Sequence, residues 1–246
     1  MSNYKLTIAY DGTRYNGWQK QGNTDKTIQG KIEAVAEHFA GMPTEVHGAG
    51  RTDAGVHAKG QTANVRIPRK CSEDELLSYF NEYLPEDIQV LAVTEAGERF
   101  HARLSAVKKH YRYYINNSEY PDIFMRRYET HIPEKLDILS MRKAAEYFVG
   151  EHDFSSFCSS RHMKKSKVRT LYEAGVTRSG DRILLDFWGD GFLYNMVRIM
   201  SGTLIEVGEG KRKPHEIKDI LMRKDRQAAG ITAPPQGLFL MEVLYD

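Results

Sequence analysis

Residues 4–12 read YKLTIAYDG, a stretch in which apolar side chains stand at every second position. Tyr4, Leu6, Ile8 and Tyr10 alternate in this way, which is typical of a β-strand with one face against an apolar core. The Asp-Gly pair that follows indicates a turn. Such alternation favours an antiparallel sheet that is covered by helices on one face.

Helical patterns follow this first strand. Thr27 precedes apolar residues at helical spacing as far as Phe39, and Gly41 marks the predicted end of that helix. Ser72 and Glu75 have capping-box spacing at the start of a second helix. A glycine-rich loop at residues 47–60 separates the two, and strands are predicted at residues 61–67 and 88–94.

The second half of the chain again mixes strands and helices. The patterns predict strands at 111–116, 171–177, 182–188 and 237–245, and helices at 138–149, 192–207 and from 214 onward. The fold class predicted is therefore α+β, with helices packed on one face of an antiparallel sheet. We expect one half at residues 1–104, which contains the glycine-rich loop, and a second half at residues 105–246.

Composition limits the classes of protein to which the chain can belong. It has 246 residues, of which 41% are hydrophobic and 28% are charged, a balance that argues against disorder. No apolar run has the length of a membrane span, and the N-terminus has no signal-peptide core, so we expect a cytoplasmic protein with no membrane partner. Cys71 and Cys158 are expected to be reduced thiols.

Basic residues cluster although the formal net charge is only +2. The clearest cluster has no acidic residue within it and comprises Arg161, Lys164, Lys165, Lys167 and Arg169. One interpretation is a solvated surface. The other is a face that binds a polyanion such as RNA, where neutralised phosphates make binding strongly salt-dependent.

The most informative segment is HGAGRTDAGVH at residues 47–57. Its glycines permit positive φ angles and a close backbone approach to a ligand. Arg51 and Asp53 are the only charged residues among them, apart from the histidines. The pattern alone leaves two interpretations open, a tight turn with an internal ion pair or a charged group displayed for chemistry.

As a string, GRTDAGVHA at residues 50–58 resembles the signature of the TruA family of tRNA pseudouridine synthases. Further blocks resemble the family in the family's order: FHARLSA (100–106), YRY (111–113), DFSSF (153–157), GFLYNMVR (191–198), GTL (202–204) and TAPPQGL (232–238). One departure is QTAN at residues 61–64, which is more polar than the family's usual stretch after the loop.

The resemblance implies two RRM-like or ferredoxin-like halves that share a central antiparallel sheet, in a homodimer. It implies isomerisation of uridine to pseudouridine at positions 38, 39 and 40 of the tRNA anticodon stem-loop, without a cofactor or a metal. The lack of a Cys-x-x-Cys pair also argues against zinc.

The resemblance also implies roles for four residues. Asp53 matches the nucleophile, because a carboxylate can bond covalently to the substrate and later leave. Arg51 matches a position implicated in holding the flipped nucleotide, and its alternative role is a phosphate contact. Tyr111 matches an active-site tyrosine that stacks on the flipped base, and its alternative role is a core aromatic. Arg198 lies in an apolar helix and is expected to pair with Asp53, the alternative being a surface position.

Two other functions stay open. A non-catalytic tRNA-binding or tRNA-folding protein would keep the fold and lose the nucleophile, yet Asp53 is present. A carboxylate hydrolase of the glycosidase type would need a second acid opposite the first, for which Glu98 and Asp186 are the candidates.

Overall fold

The computed structural model describes residues 1–160 and 166–246, which form two compact units. Residues 1–107 and 239–246 make up the first unit, and residues 108–238 make up the second. The predicted division between residues 104 and 105 lies close to the first of these boundaries. The final strand, however, was assigned to the second half by the sequence and belongs to the first unit in the structure.

The elements are numbered in chain order. The first unit contains β1 (Ser2–Tyr10), α1 (Ile28–Ala40), β2 (Val46–Gly48), β3 (His57–Ile67), α2 (Glu73–Tyr83) and β4 (Ile88–Ala96). The second contains β5 (Ala106–Asn116), β6 (Thr130–His131), α3 (Ile138–Glu146), β7 (Gly150–Asp153), β8 (Val168–Ser179), β9 (Arg182–Gly189), α4 (Met196–Gly208) and α5 (Glu216–Arg223). Strand β10 (Leu238–Tyr245) then completes the first unit.

The sheet of the first unit has the order β4-β1-β3-β10, and β2 also pairs with β3. Its pairs are antiparallel except for β10, which runs parallel to β3. The alternate residues Tyr4, Leu6 and Ile8 of β1 are completely buried, as the sequence predicts. Ile32 of α1 and Phe80 of α2 are buried as well, and both helices contact the strands of this sheet.

Both predicted helix caps in this unit are confirmed. Thr27 accepts a hydrogen bond from the Gly30 amide at 3.2 Å, and α1 ends at Gly41 with a left-handed φ of 69°. The Ser72 hydroxyl accepts from the Glu75 amide at 3.0 Å at the start of α2. The Thr27 and Ser72 side chains each satisfy a backbone donor that the helix itself leaves unpaired, and the Gly41 amide donates to the Glu37 carbonyl at the other end of α1.

The second unit has a sheet of order β5-β9-β8-β7, with antiparallel pairs, and the short β6 runs parallel to β5. The predicted hairpin is confirmed as β8 and β9, which turn through Gly180 at a φ of 61°. Tyr113 and Leu185 face the core on which α3 and α4 lie. The α+β fold class is thus confirmed. Among the described residues, no helix is long and apolar enough to cross a membrane.

Two predicted boundaries are wrong for identifiable reasons. Strand β3 begins at His57, so Gly60 lies inside it and not in a loop. A Cβ on Gly60 would lie 2.3 Å from the Met241 carbonyl oxygen, so this glycine permits the close approach of β10. Helix α4 begins at Met196 and not at residue 192, because Asn195 has a φ of 61° that interrupts the helix.

Candidate active site

The glycine-rich loop between β2 and β3 is anchored through its backbone. The Ala49 amide donates to the Thr62 carbonyl of β3 at 2.7 Å. The Trp18 amide donates to the Thr52 carbonyl at 3.0 Å. A further bond, from the Val56 amide to the carbonyl of residue 53, closes a turn at 3.1 Å. The tight turn that one interpretation of the sequence requires is therefore present.

Two buried side chains of the neighbouring strands also form hydrogen bonds with this loop. Gln61 of β3 donates from Nε2 to the Gly50 carbonyl oxygen at 2.8 Å. The hydroxyls of Tyr10 and Thr52 are hydrogen-bonded at 2.8 Å. Sequence reasoning missed both anchors, although the polar character of residues 61–64 was an available signal.

Glycines allow the neighbouring chain to pack closely against the loop. A Cβ on Gly48 would lie 2.5 Å from the buried Trp18 ring. Gly17 has a φ of 90°, and a Cβ there would lie 2.6 Å from the Thr52 carbonyl oxygen. Gly55, within the turn, has a φ of 76°. The positive φ expected of the loop glycines is confirmed at Gly55, and the close contacts at Gly17 and Gly48 are with other parts of the chain.

The loop carries two charged side chains, those of Arg51 and Asp53. Arg51 is exposed and Asp53 is half-buried, whereas Thr52 between them is buried. The hydrogen bond of Thr52 to Tyr10 fixes the residue that separates the two charged groups. The loop therefore combines a constrained backbone with an exposed guanidinium and a half-buried carboxylate.

In the second unit, Tyr111 lies on β5 and is 6% exposed. Its ring meets that of Phe192 edge to face, with centroids 5.0 Å apart. It shares a face of the strand with Tyr113 and Ile115, both completely buried. Its position is thus that of an aromatic residue at the margin of the core.

Arg198 lies in the first turns of α4, and its guanidinium is held by two oxygen acceptors. Nε donates to the Ala233 carbonyl at 2.8 Å, and Nη1 donates to Asn195 Oδ1 at 3.0 Å. The Ala233 amide in turn donates to the Arg198 carbonyl at 3.0 Å. The Asn195 amide group donates to the Ser159 hydroxyl at 3.0 Å. These bonds bring together the sequence blocks at residues 191–198 and 232–238.

Tyr113 reinforces the second of these blocks. Its hydroxyl donates to the Pro234 carbonyl at 2.8 Å and is hydrogen-bonded to the Thr130 hydroxyl at 2.6 Å. Burial raises the pKa of Tyr113 well above its ordinary value, and the bond to Thr130 offsets only part of this effect. Tyr113 therefore stays protonated and serves as a donor to the backbone.

The basic cluster predicted at residues 161–169 is described only in part. Arg161, Lys164 and Lys165 lie outside the described residues. The backbone of Lys167 accepts a hydrogen bond from the Phe154 amide at 3.0 Å. Arg169 is the second residue of β8 and donates from Nη1 to the Ser166 carbonyl at 3.0 Å. Its guanidinium end thus folds onto its own backbone segment.

The block at residues 153–157 has a structural explanation. Asp153 accepts from the Ser155 amide at 3.0 Å and forms an ion pair with Lys224 at 3.0 Å. Burial raises the pKa of Asp153, but these bonds outweigh burial and hold the pKa below its ordinary value. Phe154 and Phe157 are completely buried. The block therefore ties β7 to the end of α5.

The two acids considered for a hydrolase have unsuitable surroundings. Asp186 Oδ1 lies 2.6 Å from His110 Nε2 and 2.7 Å from Arg112 Nε. Burial raises the pKa of Asp186, but the hydrogen bonds with His110 and Arg112 outweigh burial and leave it below its ordinary value. A glycosidase general acid needs a raised pKa instead. Glu98 is exposed to solvent.

Comparison with known proteins assigns the chain to a family. The family model described as tRNA pseudouridine synthase matches residues 6–104 and 144–246. A tRNA pseudouridine synthase A of Bacillus sp. (strain KSM-64) is 50% identical over 240 residues, covering 98% of both chains. A tRNA pseudouridine synthase A 2 of Bacillus anthracis is 46% identical over 243 residues, covering 99% of both. A tRNA pseudouridine synthase A of Caldicellulosiruptor saccharolyticus is 45% identical over 245 residues, covering 100% of both chains.

These matches span both units, so the chain belongs to the tRNA pseudouridine synthase family. The resemblance stated from the sequence motifs is confirmed, and so is the enzyme class, an isomerase that forms pseudouridine in tRNA.

Proposed function

We propose that this chain isomerises uridine to pseudouridine at positions 38, 39 and 40 of the tRNA anticodon stem-loop, with the Asp53 carboxylate as nucleophile. The observation that carries the proposal is the loop at residues 49–56. Its backbone is anchored on both sides of Asp53, and it carries an exposed Arg51 and a half-buried Asp53 on either side of the buried Thr52. Such preorganisation is what a nucleophile requires.

The chemistry needs no oxidant or reductant. The bond from ribose C1′ to the uracil N1 breaks, a bond from C1′ to C5 forms, the C5 proton is lost, and N1 gains a proton. The number of electrons in the nucleoside is unchanged, so the reaction needs no redox cofactor. A carboxylate supports it by forming a transient covalent bond to the nucleotide and leaving after the base has turned.

The target uridine must first leave a stacked stem, which costs a few kcal/mol. Arg51, exposed beside Asp53, is assigned to the extruded nucleotide, and Tyr111 to stacking on its base, a contact worth about 1–3 kcal/mol. Arg198, already oriented by Asn195 and Ala233, is assigned to keeping the reacting carboxylate ionised.

The remaining assignments concern the assembly. The basic residues of the segment 161–169 are assigned to the RNA backbone, which predicts tighter binding at low salt. We propose that the enzyme works in the cytoplasm as a homodimer. A non-catalytic tRNA-binding protein is the competing function, and it differs by making no pseudouridine.

The test replaces the nucleophile. We expect Asp53→Ala and Asp53→Asn to form no detectable pseudouridine in single-turnover reactions with full-length tRNA, while the Kd for tRNA changes less than about threefold, since the carboxylate acts in the reaction and not in backbone binding. Mass mapping of the tRNA measures both the yield and the positions modified. The matched control is Asp74→Asn, on the exposed first turn of α2, which should react at the wild-type rate.

Product from Asp53→Ala would remove the nucleophile assignment. Product at nucleotides other than 38–40 would contradict the assigned substrate region. Wild-type enzyme that binds tRNA without making product would favour the non-catalytic alternative.

A further inference from the structure

The strand beneath the glycine-rich loop contains a completely buried amide side chain. Gln61 lies in β3 opposite Ile8 of β1, among residues that are otherwise apolar on this face. Its Nε2 donates to the Gly50 carbonyl oxygen, but its Oε1 is buried without a hydrogen-bond partner among the described residues. Burying an amide that is only half satisfied is unfavourable for folding. Its place in the strand therefore calls for an explanation other than stability.

A second buried polar group holds the next anchor of the same loop. Tyr10 ends β1 and is 4% exposed, and its hydroxyl is hydrogen-bonded to that of Thr52 at 2.8 Å. Gly50 and Thr52 are the residues on either side of Arg51, and Thr52 directly precedes Asp53. The two side chains thus hydrogen-bond to residues 50 and 52 of the loop. The charged residues 51 and 53 lie between and directly after these two positions.

We infer that Gln61 and Tyr10 are positioning residues for the reaction, a role that depends on the proposed function of Asp53. Neither side chain reaches the surface, so neither contacts the RNA. Both instead fix the position and orientation of the loop backbone next to Asp53. A displacement of about 1 Å at a reacting group can cost about 100-fold in rate, so anchors of this kind govern the chemical step.

The inference predicts that replacing Gln61 lowers the reaction rate without lowering the stability of the protein. Gln61→Leu removes the half-satisfied amide and places an apolar side chain beside Ile8, so the melting temperature should be unchanged or higher. The loop loses its anchor at Gly50, so the single-turnover rate should fall about 10- to 100-fold. The Kd for tRNA should stay within about twofold of wild type, because the residue does not face the RNA.

Tyr10→Phe removes a single oxygen atom and the bond to Thr52. We expect its single-turnover rate to fall about 3- to 10-fold, less than for Gln61→Leu, because the Trp18 amide still holds the Thr52 carbonyl. The matched control is Asn81→Leu. The Asn81 side chain bonds the Val90 carbonyl at 2.8 Å and the Val90 amide at 2.9 Å, between α2 and β4. Its loss should lower the melting temperature and leave the rate unchanged.

The outcomes separate the two proposals. Folded Gln61→Leu that reacts at the wild-type rate would overturn the positioning role. If Gln61→Leu does not fold, Tyr10→Phe decides, and a wild-type rate there overturns the role equally. A rate loss in Asn81→Leu as large as in Gln61→Leu would show that general destabilisation, and not loop positioning, lowers the rate. An active Asp53→Ala, in contrast, removes the nucleophile and leaves the measured effect of Gln61 on the rate standing.

Discussion

The two segments that carry the proposed catalytic side chains are held in different ways. In the first unit, hydrogen bonds between neutral groups fix the backbone of the loop at residues 49–56, which carries Arg51 and Asp53. In the second unit, the Arg198 guanidinium itself is held by the hydrogen bonds that it donates to Asn195 and Ala233. The first segment is therefore sensitive to backbone displacement, and the second to the shape of one side chain.

The largest effect should come from disturbing the backbone of the loop. Gly17→Ala places a Cβ 2.6 Å from the Thr52 carbonyl oxygen, at a φ of 90° that alanine rarely adopts. We expect a loss of about 3 kcal/mol in the free energy of unfolding, measured by urea titration, and a slower single turnover. Gly22→Ala is the control, because a Cβ at Gly22 meets nothing within 4 Å. Equal stability of the two variants would show that the loop is not tightly packed.

A smaller effect is expected when only the side-chain shape changes in the second unit. Arg198→Lys keeps the charge but cannot donate to the Ala233 carbonyl and to Asn195 in the same geometry. The single-turnover rate should fall about 10- to 100-fold, equivalent to about 1.4–2.7 kcal/mol of transition-state stabilisation. Arg178→Lys, on the exposed β8–β9 hairpin, is the control. Wild-type rates for Arg198→Lys would mean that charge alone suffices.

The smallest of the three effects concerns how the stability of the second unit depends on the ionisation of Asp186. Asp186 is held ionised by His110 and Arg112, with a pKa below its ordinary value of 3.8. Its contribution to stability is complete above that ordinary value and is lost as the pH falls through the lowered pKa. We expect Asp186→Asn to cost about 1–2 kcal/mol at pH 7 in urea unfolding, with the difference from wild type shrinking below about pH 4.

Asp246→Asn, which removes an exposed carboxylate, controls for the change in net charge. Its stability should follow that of the wild type at every pH. A cost for Asp186→Asn that persists unchanged in acid would show that packing, and not ionisation, is responsible.

Local signals predicted much of the fold. Thr27 and Gly41 mark the ends of α1, and Ser72 marks the start of α2, because capping depends on residues next to each other in the chain. The hairpin at Gly180 is local in the same way. The start of β3 was missed because Gly60 has a role only beside Met241, which is far away in the sequence.

The residues of the candidate site could be predicted from the sequence, but the side chains that hold them in place could not. The string at residues 50–58 singles out Arg51 and Asp53, and the later blocks single out Tyr111 and Arg198. The anchors Gln61 and Tyr10 were missed, because their partners are defined only by the pairing of β1 with β3 and by the path of the loop. The start of α4 was missed because an apolar pattern does not reveal the left-handed backbone of Asn195.

The return of β10 to the first unit orders events during protein synthesis. Phe239 stacks on His57, and the Tyr245 hydroxyl donates to the Ala102 carbonyl at 2.7 Å. Residues that are synthesised early therefore form these contacts only after the last strand has been synthesised. All of the intervening residues 108–238 leave the ribosome before this strand does. While the second unit is being translated, residues 57–58 of β3 therefore lack their β10 partner. During that interval the nascent first unit is open to aggregation or to chaperones.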